Sequence, residues 1–212
     1  MNAMNFISQR LQMIKPSPSI AANDLVNKLR AEGKDIINFT IGEPDFDTPE
    51  HIMQAAIEAM HKGDTHYTNA AGTVAVRQAI SEKLKRDNQL DYSINEIVCG
   101  SGGKPLIFHA FAATLDVQDE VIIHAPYWVS YPDLATLNDA TPVVIEGRQD
   151  NGFKLTAEDL APAITEKTRW VVLNYPNNPT GAVYSKQELE ALAELLRQHP
   201  HVLIMLDEIY EF

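Results

Sequence analysis

The chain has 212 residues, of which 45% are hydrophobic and 22% are charged, and its formal net charge is −12. That apolar fraction is enough for a packed core, whereas an acidic chain without a dense basic patch argues against binding to nucleic acid. The single cysteine, Cys99, excludes an intrachain disulfide, and no apolar run reaches the ~18–20 residues that span a bilayer. We therefore expect a soluble cytoplasmic protein with no membrane partner.

Residues 1–47 differ in pattern from the rest of the chain. A helix is predicted from about Ser19 to Ala31, ended by Gly33, and it is followed by the apolar segment Ile36–Phe39 and a polar turn. We assign residues 1–47 to an N-terminal arm and part of a small domain. Residues 48–212 are predicted to form a large domain.

Four helices are predicted in this second part, each from signals at its start. Thr48 as the N-cap and Pro49 as the first helical residue predict a helix that stops near Gly63. The other three begin, in chain order, at Thr73, after Gly103, and at the capping box Ser185–Glu188.

Five short apolar segments alternate with these helices. Nearly continuous apolar runs are typical of strands that are covered on both faces. Alternation with helices predicts an α/β fold with a mostly parallel sheet and flanking helices, in which ligands bind at the carboxyl ends of the strands. The segments are Ile97–Cys99, Val121–His124, Pro142–Ile145, Trp170–Asn174 and Val202–Asp207.

A glycine-rich segment, Gly100–Lys104, precedes the third of these helices. Glycines let the backbone approach a ligand, and a helix N-terminus presents N–H groups, so this segment is a candidate phosphate site. The alternative is a plain glycine-rich turn. Val98 and Pro105 exclude a Walker A motif, which disfavours a P-loop ATPase despite the apolar strand that ends in Asp207.

Polar side chains follow the last two predicted strands. Pro176 and Pro179 end any regular structure in Asn174–Gly181, so asparagine amides lie at the carboxyl end of a strand or form an elaborate turn. Asp207 can pair with a cationic ring nitrogen there and Tyr210 can bind a neighbouring oxygen. The alternative is an N-cap aspartate beside a packed tyrosine.

Trp128 follows the strand that ends at His124. Its indole can stack on a flat ligand ring or can simply belong to the core. The histidines show no metal-ligand spacing and the chain contains no G-x-S-x-G motif, so neither a metal site nor a serine hydrolase is supported.

Six motifs in this order resemble the fold-type I, pyridoxal-phosphate-dependent aminotransferases of the aspartate aminotransferase family, from Lys15 to the end of the chain. The resemblance implies the PLP-dependent transferase fold and pyridoxal 5'-phosphate as the cofactor. The motifs are Ile41–Pro49, Tyr67–Gly72, Gly100–Lys104, Pro126–Trp128, Asn174–Gly181 and Asp207–Tyr210.

The resemblance also implies roles around the cofactor. Asp207 pairs with the ring nitrogen and keeps it protonated, which makes the ring a better electron acceptor. Trp128 stacks on the ring, and Asn178 and Tyr210 bind its phenolic oxygen. The cofactor phosphate is held at Gly102, Gly103 and Lys104.

The substrate is implied to contact Gly42, through its main chain, together with Trp128 and Asn178. Tyr67 is implied to reach the cofactor phosphate of a neighbouring subunit, so we expect a homodimer with shared sites. Trp128 and its neighbours resemble the bacterial aspartate and prephenate branch of the family. The expected reaction transfers an amino group between an amino acid, aspartate above all, and a 2-oxo acid such as 2-oxoglutarate.

One departure from the family pattern is large. The Schiff-base lysine of the family lies tens of residues beyond the Asp-x-x-Tyr motif, and this chain ends two residues after Tyr210. Lys104 and Lys186 belong to other motifs. We therefore expect an N-terminal fragment with a truncated large domain that is inactive alone.

Two other functions stay open at this point. One is a carbon–sulfur lyase of the same fold, which would share the cofactor residues. The other is a non-catalytic domain built on the aminotransferase fold, although residues 1–14 are too short for the DNA-binding helix-turn-helix that usually precedes such a domain.

Overall fold

The computed structural model describes residues 6–14, 16, 18–40 and 42–211. Two compact units divide the chain: a sheet unit (residues 1–15 and 107–212) and a helical unit (residues 16–106). Lys15 and Ile41, where the resemblance and its first motif begin, lie outside the described residues. The assignment of residues 1–47 to an arm and a small domain stays a prediction.

A four-stranded parallel sheet forms the centre of the sheet unit. The strand order is β2-β1-β3-β4, and all three neighbouring pairs are parallel. This arrangement confirms the α/β fold and the parallel sheet that the sequence predicts. The strands are β1 (Glu120–His124), β2 (Thr141–Ile145), β3 (Thr168–Asn174) and β4 (Leu203–Asp207).

Helices account for most of the remaining regular structure. Within the described part of the chain, none is long and apolar enough to cross a bilayer. The helices are α1 (Gln9–Gln12), α2 (Pro18–Ala31), α3 (Glu50–His61), α4 (Val74–Asn88), α5 (Gly103–Thr114), α6 (Ser130–Leu137), α7 (Ala157–Leu160) and α8 (Lys186–Leu196).

Capping side chains fix the starts of two predicted helices. The Thr73 hydroxyl accepts a hydrogen bond from the Val76 N–H at the start of α4, and Ser185 and Glu188 form the predicted capping box of α8. The prediction for α3 is wrong by one residue: Pro49 is its N-cap, because Pro49 has an extended ψ of 138° and so is not helical.

Two apolar clusters cover the two faces of the sheet. Val121 and Ile123 of β1 lie in one cluster, whereas Ile122 between them lies in the other, as the alternation of side chains along a strand requires. The first core cluster is Phe111, Val121, Ile123, Tyr131, Leu134, Ala135, Ala140 and Val172. The second core cluster is Ile122, Leu155, Leu160, Val171, Leu173, Leu192, Leu196 and Val202.

Coverage on both faces is confirmed for the two central strands, β1 and β3, and is wrong for β2 and β4. In β4, Leu203, Ile204 and Leu206 are exposed. The reason is topological, since these strands are the outer two of the four and fewer elements pack on them.

The segment Ile97–Cys99, predicted as a strand, lies outside the sheet. It is extended at Ile97, but the Cys99 N–H donates a hydrogen bond to the Ala71 carbonyl at 2.9 Å and no strand ladder forms there. Gly72 permits this approach, because a Cβ at that position would lie 2.8 Å from the Cys99 Cβ. The segment is therefore a connector within the helical unit.

Candidate functional site

Asp207 is the last residue of β4, and its half-buried carboxylate is held on both oxygens. The Tyr131 hydroxyl donates a hydrogen bond to Oδ2 at 2.5 Å, and the Ile209 N–H donates one to Oδ1 at 3.4 Å. Burial of the phenol raises the pKa of Tyr131, and the hydrogen bond to Asp207 raises it further. Tyr131 therefore stays a protonated donor at all physiological pH values, and the carboxylate is fixed in orientation.

Tyr131 also contacts Trp128. It is the second residue of α6 and is only 2% exposed, and its N–H donates to the Trp128 carbonyl. The two rings meet edge to face, with centroids 5.3 Å apart and an interplanar angle of 81°. Trp128 packs against the first core cluster but stays partly exposed. Both functions proposed for the indole, core packing and ring stacking, are thus compatible with its position.

The side chain of Asn174 joins Asp207 to Asn178. Asn174 is the last residue of β3, lies opposite Asp207 in the strand register and is 5% exposed. Its Nδ2 donates to the Asp207 carbonyl at 2.8 Å, and its Oδ1 accepts a hydrogen bond from the Asn178 N–H at 2.7 Å. One buried amide therefore ties the ends of two strands together.

The loop after β3 is a tight turn that carries Asn178. The Asn177 Oδ1 accepts hydrogen bonds from the Thr180 N–H at 3.2 Å and from its hydroxyl at 2.7 Å. The Gly181 N–H donates to the Asn177 carbonyl at 2.8 Å. The interpretation as an elaborate turn is therefore correct, and this turn also holds Asn178 beside the carboxyl end of the sheet.

Tyr210 lies in the turn after β4 and is about half exposed. Its proximity contributes to the raised pKa of Tyr131. In the sheet unit, four predicted residues therefore occur at one end of the parallel sheet. They are Trp128, Asn178, Asp207 and Tyr210. Contacts of Tyr131 and Asn174 link the first three of them.

The glycine-rich loop lies in the helical unit and leads into α5. Gly102 has a φ of +98°, and the space beside its α-carbon is open. The helix begins at Gly103, so its first N–H groups have no acceptor within the helix, and the exposed Lys104 adds a cation at its second position. Such a donor set suits an anionic group with several oxygens.

The other two predicted residues are exposed and also belong to the helical unit. Gly42 lies in a segment without regular structure, and among the described residues beyond its chain neighbours no atom comes within 4 Å of the place where its Cβ would be. Tyr67 has a relative exposure of 108%, so the described residues leave its whole side chain accessible. Both are free of packing that would block a ligand or a second chain.

Sequence reasoning missed Tyr131 and Asn174 as site residues. Asn174 is the first residue of the motif Asn174–Gly181, Tyr131 lies three residues after the motif Pro126–Trp128, and each carried a signal. Tyr131 follows Trp128 by three residues, the spacing that places two side chains on one side of a helical turn. Asn174 is a polar residue directly after the apolar run Trp170–Leu173, at a strand end where an amide can replace the missing strand hydrogen bonds.

Comparisons with known proteins all indicate one family. The family model for aminotransferase class I and II matches residues 34–212. A probable aspartate/prephenate aminotransferase of Rickettsia felis is 50% identical over 208 residues, 98% of this chain and 51% of that protein. An aspartate/prephenate aminotransferase of Nitrosomonas europaea is 49% identical over 205 residues, 97% of this chain and 52% of that protein.

Solved structures give the same result. The aspartate aminotransferase from Rhizobium meliloti has a TM-score of 0.94 at 45% identity, over 97% of this chain and 51% of that one. The aspartate aminotransferase from Thermus thermophilus with maleate has a TM-score of 0.94 at 44% identity, over 98% of this chain and 54% of that one. The chain spans about half the length of the curated relatives it matches.

Proposed function

Because the chain belongs to the aminotransferase class I and II family, we propose that it provides the ring-binding and phosphate-binding residues of an aspartate aminotransferase. The family uses pyridoxal phosphate. The proposed reaction moves an amino group between aspartate and a 2-oxo acid such as 2-oxoglutarate. The observation that carries the proposal is the carboxylate of Asp207, fixed at the carboxyl end of β4 by the buried Tyr131.

The donor and acceptor groups of the chain fit this cofactor. Asp207 is a half-buried acceptor, so it can pair with a protonated ring nitrogen with less screening than at an exposed site. The N–H groups at the start of α5, beginning at Gly103, and the ammonium of Lys104 are the donors that a phosphate requires. The Gly102 N–H donates to the Gly100 carbonyl at 2.9 Å, and the open space beside Gly102 leaves room for the anion. Trp128 supplies a partly exposed aromatic face for stacking.

Each side chain then has a defined task. Bound pyridoxal phosphate supplies an electron sink for the substrate α-carbon. Asp207 holds the proton on the ring nitrogen, and Tyr131 holds Asp207. Asn178 and Tyr210 donate hydrogen bonds to the phenolic oxygen, and the Gly42 N–H orients the substrate carboxylate. In this proposal these residues bind and orient the cofactor and the substrate, and none of them transfers the proton of the substrate α-carbon.

The names of the relatives support the proposed substrate. The two curated relatives described above are named as aspartate/prephenate aminotransferases, which supports aspartate as the amino donor and prephenate as a second oxo acid to test. We also propose a homodimer, in which the exposed Tyr67 reaches the phosphate of the cofactor in the other subunit.

The test is a titration of the protein with pyridoxal phosphate, followed by absorbance, for the wild type and for Asp207→Asn. We expect saturable binding that the substitution weakens, because an amide cannot hold the ring proton by charge. Asp159→Asn is the matched control, since Asp159 is also a hydrogen-bonded carboxylate in the sheet unit but lies in α7. Equal affinity for wild type and Asp207→Asn would contradict the proposal.

Turnover is measured in a chimera in which this chain replaces the matching part of the Nitrosomonas europaea relative. Oxaloacetate formation from aspartate and 2-oxoglutarate is the expected activity. In that chimera Asp207→Asn should cost about 3 kcal/mol of transition-state stabilisation, roughly 100-fold in rate. Release of pyruvate and a thiol from a cysteine conjugate, with no transamination, would instead indicate a carbon–sulfur lyase.

A further inference from the structure

Two of the residues proposed to contact the cofactor ring depend on one buried amide. Asp207 ends β4 and Asn178 lies in the turn after β3. The side chain of Asn174 is bonded to the backbone of both, to the Asp207 carbonyl at 2.8 Å and to the Asn178 N–H at 2.7 Å. We propose that Asn174 is a positioning residue, which sets where the Asp207 carboxylate and the Asn178 amide present themselves to the cofactor ring.

The geometry of the strand ends explains why an amide is needed. Asn174 and Asp207 are the last partners in the β3/β4 register, so beyond them no strand hydrogen bonds fix the two backbones. A primary amide has both a donor and an acceptor on one rigid plane. It can therefore bind the Asp207 carbonyl at the end of β4 and the Asn178 N–H in the turn after β3 at the same time. A carboxylate has no donor, and a hydroxyl cannot reach both groups from one atom in this orientation.

Burial gives these two bonds their effect. Asn174 is 5% exposed, so water does not readily replace a lost partner. Without the amide, the Asp207 carbonyl and the Asn178 N–H would both lose a bond at once, and the two segments would move independently. The inference rests on the proposed function, since it concerns how the same residues meet the same cofactor.

Two variants separate the two bonds. Asn174→Ala removes both. Asn174→Asp keeps the acceptor for the Asn178 N–H but replaces the donor that faces the Asp207 carbonyl. The matched control is Asn151→Ala, because the Asn151 amide also makes one donor and one acceptor bond to backbone, both to Lys154.

The first readout needs no cofactor. Hydrogen exchange of the Asn178 amide is measured in each variant. We expect Asn174→Ala to exchange at least 10-fold faster than the wild type, and Asn174→Asp and Asn151→Ala to retain protection within about threefold. Unchanged exchange in Asn174→Ala would overturn the inference.

The second readout is affinity under conditions in which every variant is folded. Asn174→Ala should weaken pyridoxal phosphate binding about 10-fold. It should leave the affinity for inorganic phosphate within twofold, because the proposed phosphate donors belong to the helical unit and Asn174 to the sheet unit. A parallel loss of both affinities would mean that Asn174 only stabilises the fold, and would overturn the inference.

The two proposals fail in different ways. If the wild type does not bind pyridoxal phosphate, the proposed function fails, and this inference fails with it. If the wild type binds it and Asp207→Asn weakens binding while Asn174→Ala does not, only the role of Asn174 is wrong.

Discussion

The phenol of Tyr131 and the carboxylate of Asp207 share a hydrogen bond of 2.5 Å, although 76 residues separate them in the chain. Tyr131 lies in the first turn of α6 and Asp207 at the end of β4. The same phenol ring lies edge-on to Trp128. A single buried tyrosine thus orients the acidic group and buttresses the aromatic group of the proposed site.

Replacing Tyr131 by phenylalanine removes only the hydroxyl. A hydrogen bond to a charged group contributes about 1.5–3 kcal/mol, and we expect the lower end, because the half-buried Asp207 can recruit water. The free energy of unfolding should fall by that amount, measured by urea denaturation. Affinity for pyridoxal phosphate should fall roughly 10-fold, in line with the same energy.

Tyr184→Phe is the control for this prediction. Tyr184 is a half-buried phenol with a hydrogen bond, which it accepts from the Leu155 N–H, but it packs against the second core cluster. We expect Tyr184→Phe to lower stability and to leave cofactor affinity unchanged. Equal effects of the two substitutions on affinity would show that Tyr131 acts only through stability.

Tyr67 should serve the site of the other subunit. Chains carrying Tyr67→Phe are mixed with chains carrying Asp207→Ala, and the mixed dimers are isolated. If Tyr67 crosses the interface, the site with the intact Asp207 also receives the intact Tyr67. That site should bind one pyridoxal phosphate per dimer with wild-type affinity, while the other site carries both defects.

The opposite outcome is equally clear. If Tyr67 acts within its own subunit, each site of the mixed dimer has one defect and neither binds normally. The loss at the Tyr67→Phe site would be about 1.5–3 kcal/mol for one hydrogen bond to a charged phosphate. A sample that stays monomeric at all concentrations would contradict the shared site altogether.

Glu188 should make stability depend on pH in the acid range. The Ser185 N–H and the Lys154 ammonium both donate to its carboxylate, and together they lower the pKa of Glu188 from 4.5 to about 2. A carboxyl whose pKa is lower in the folded state stabilises the protein above its unfolded pKa. This contribution is therefore present above pH 4.5 and is lost as the pH falls toward 2.

Glu188→Gln should flatten that dependence. The free energy of unfolding of the variant, measured between pH 5 and pH 2, should fall less steeply than that of the wild type. Glu190→Gln, which removes an exposed ion pair with Lys186 in the same helix, is the control. Identical slopes for wild type and Glu188→Gln would show that the capping box does not stabilise the ionised form.

Gly147 should not tolerate a side chain. A Cβ at this position would lie 2.0 Å from the Ala125 carbonyl oxygen, a backbone atom that cannot rotate away. Gly147→Ala should therefore lower the free energy of unfolding by roughly 1–3 kcal/mol, as overpacking does. Gly42→Ala is the control for stability, since no atom lies within 4 Å of its Cβ, and a similar loss in both variants would refute the steric argument.

Local signals in the sequence predicted most of the fold. The apolar runs around Ile122 and Val171 predicted strands because strands covered on both faces are apolar throughout, and Ser185 predicted the start of α8 by its capping box. Exposure of Ile204 and Leu206 could not be predicted, because position within a sheet depends on strand order.

For the candidate site, the sequence predicted individual residues but not the contacts that connect them. Asp207 and Asn178 were identified from motif and position, yet Asn174 lies 33 residues from Asp207 and Tyr131 lies 76 residues from it. Pairing over such distances is decided by tertiary packing. Local sequence patterns place Tyr131 and Asn174 near the candidate site but do not show that both bind Asp207.

The strand order β2-β1-β3-β4 has a consequence for how the protein is made. Every pairing in this sheet joins segments far apart in sequence, which slows folding. Because synthesis proceeds from the N-terminus, Tyr131 and Asn174 leave the ribosome before Asp207 does. The carboxylate can reach them only after β4 has docked beside β3. Formation of the hydrogen bonds around Asp207 is therefore a later event than pairing of β1 with β3, and it reports docking of β4 on β3.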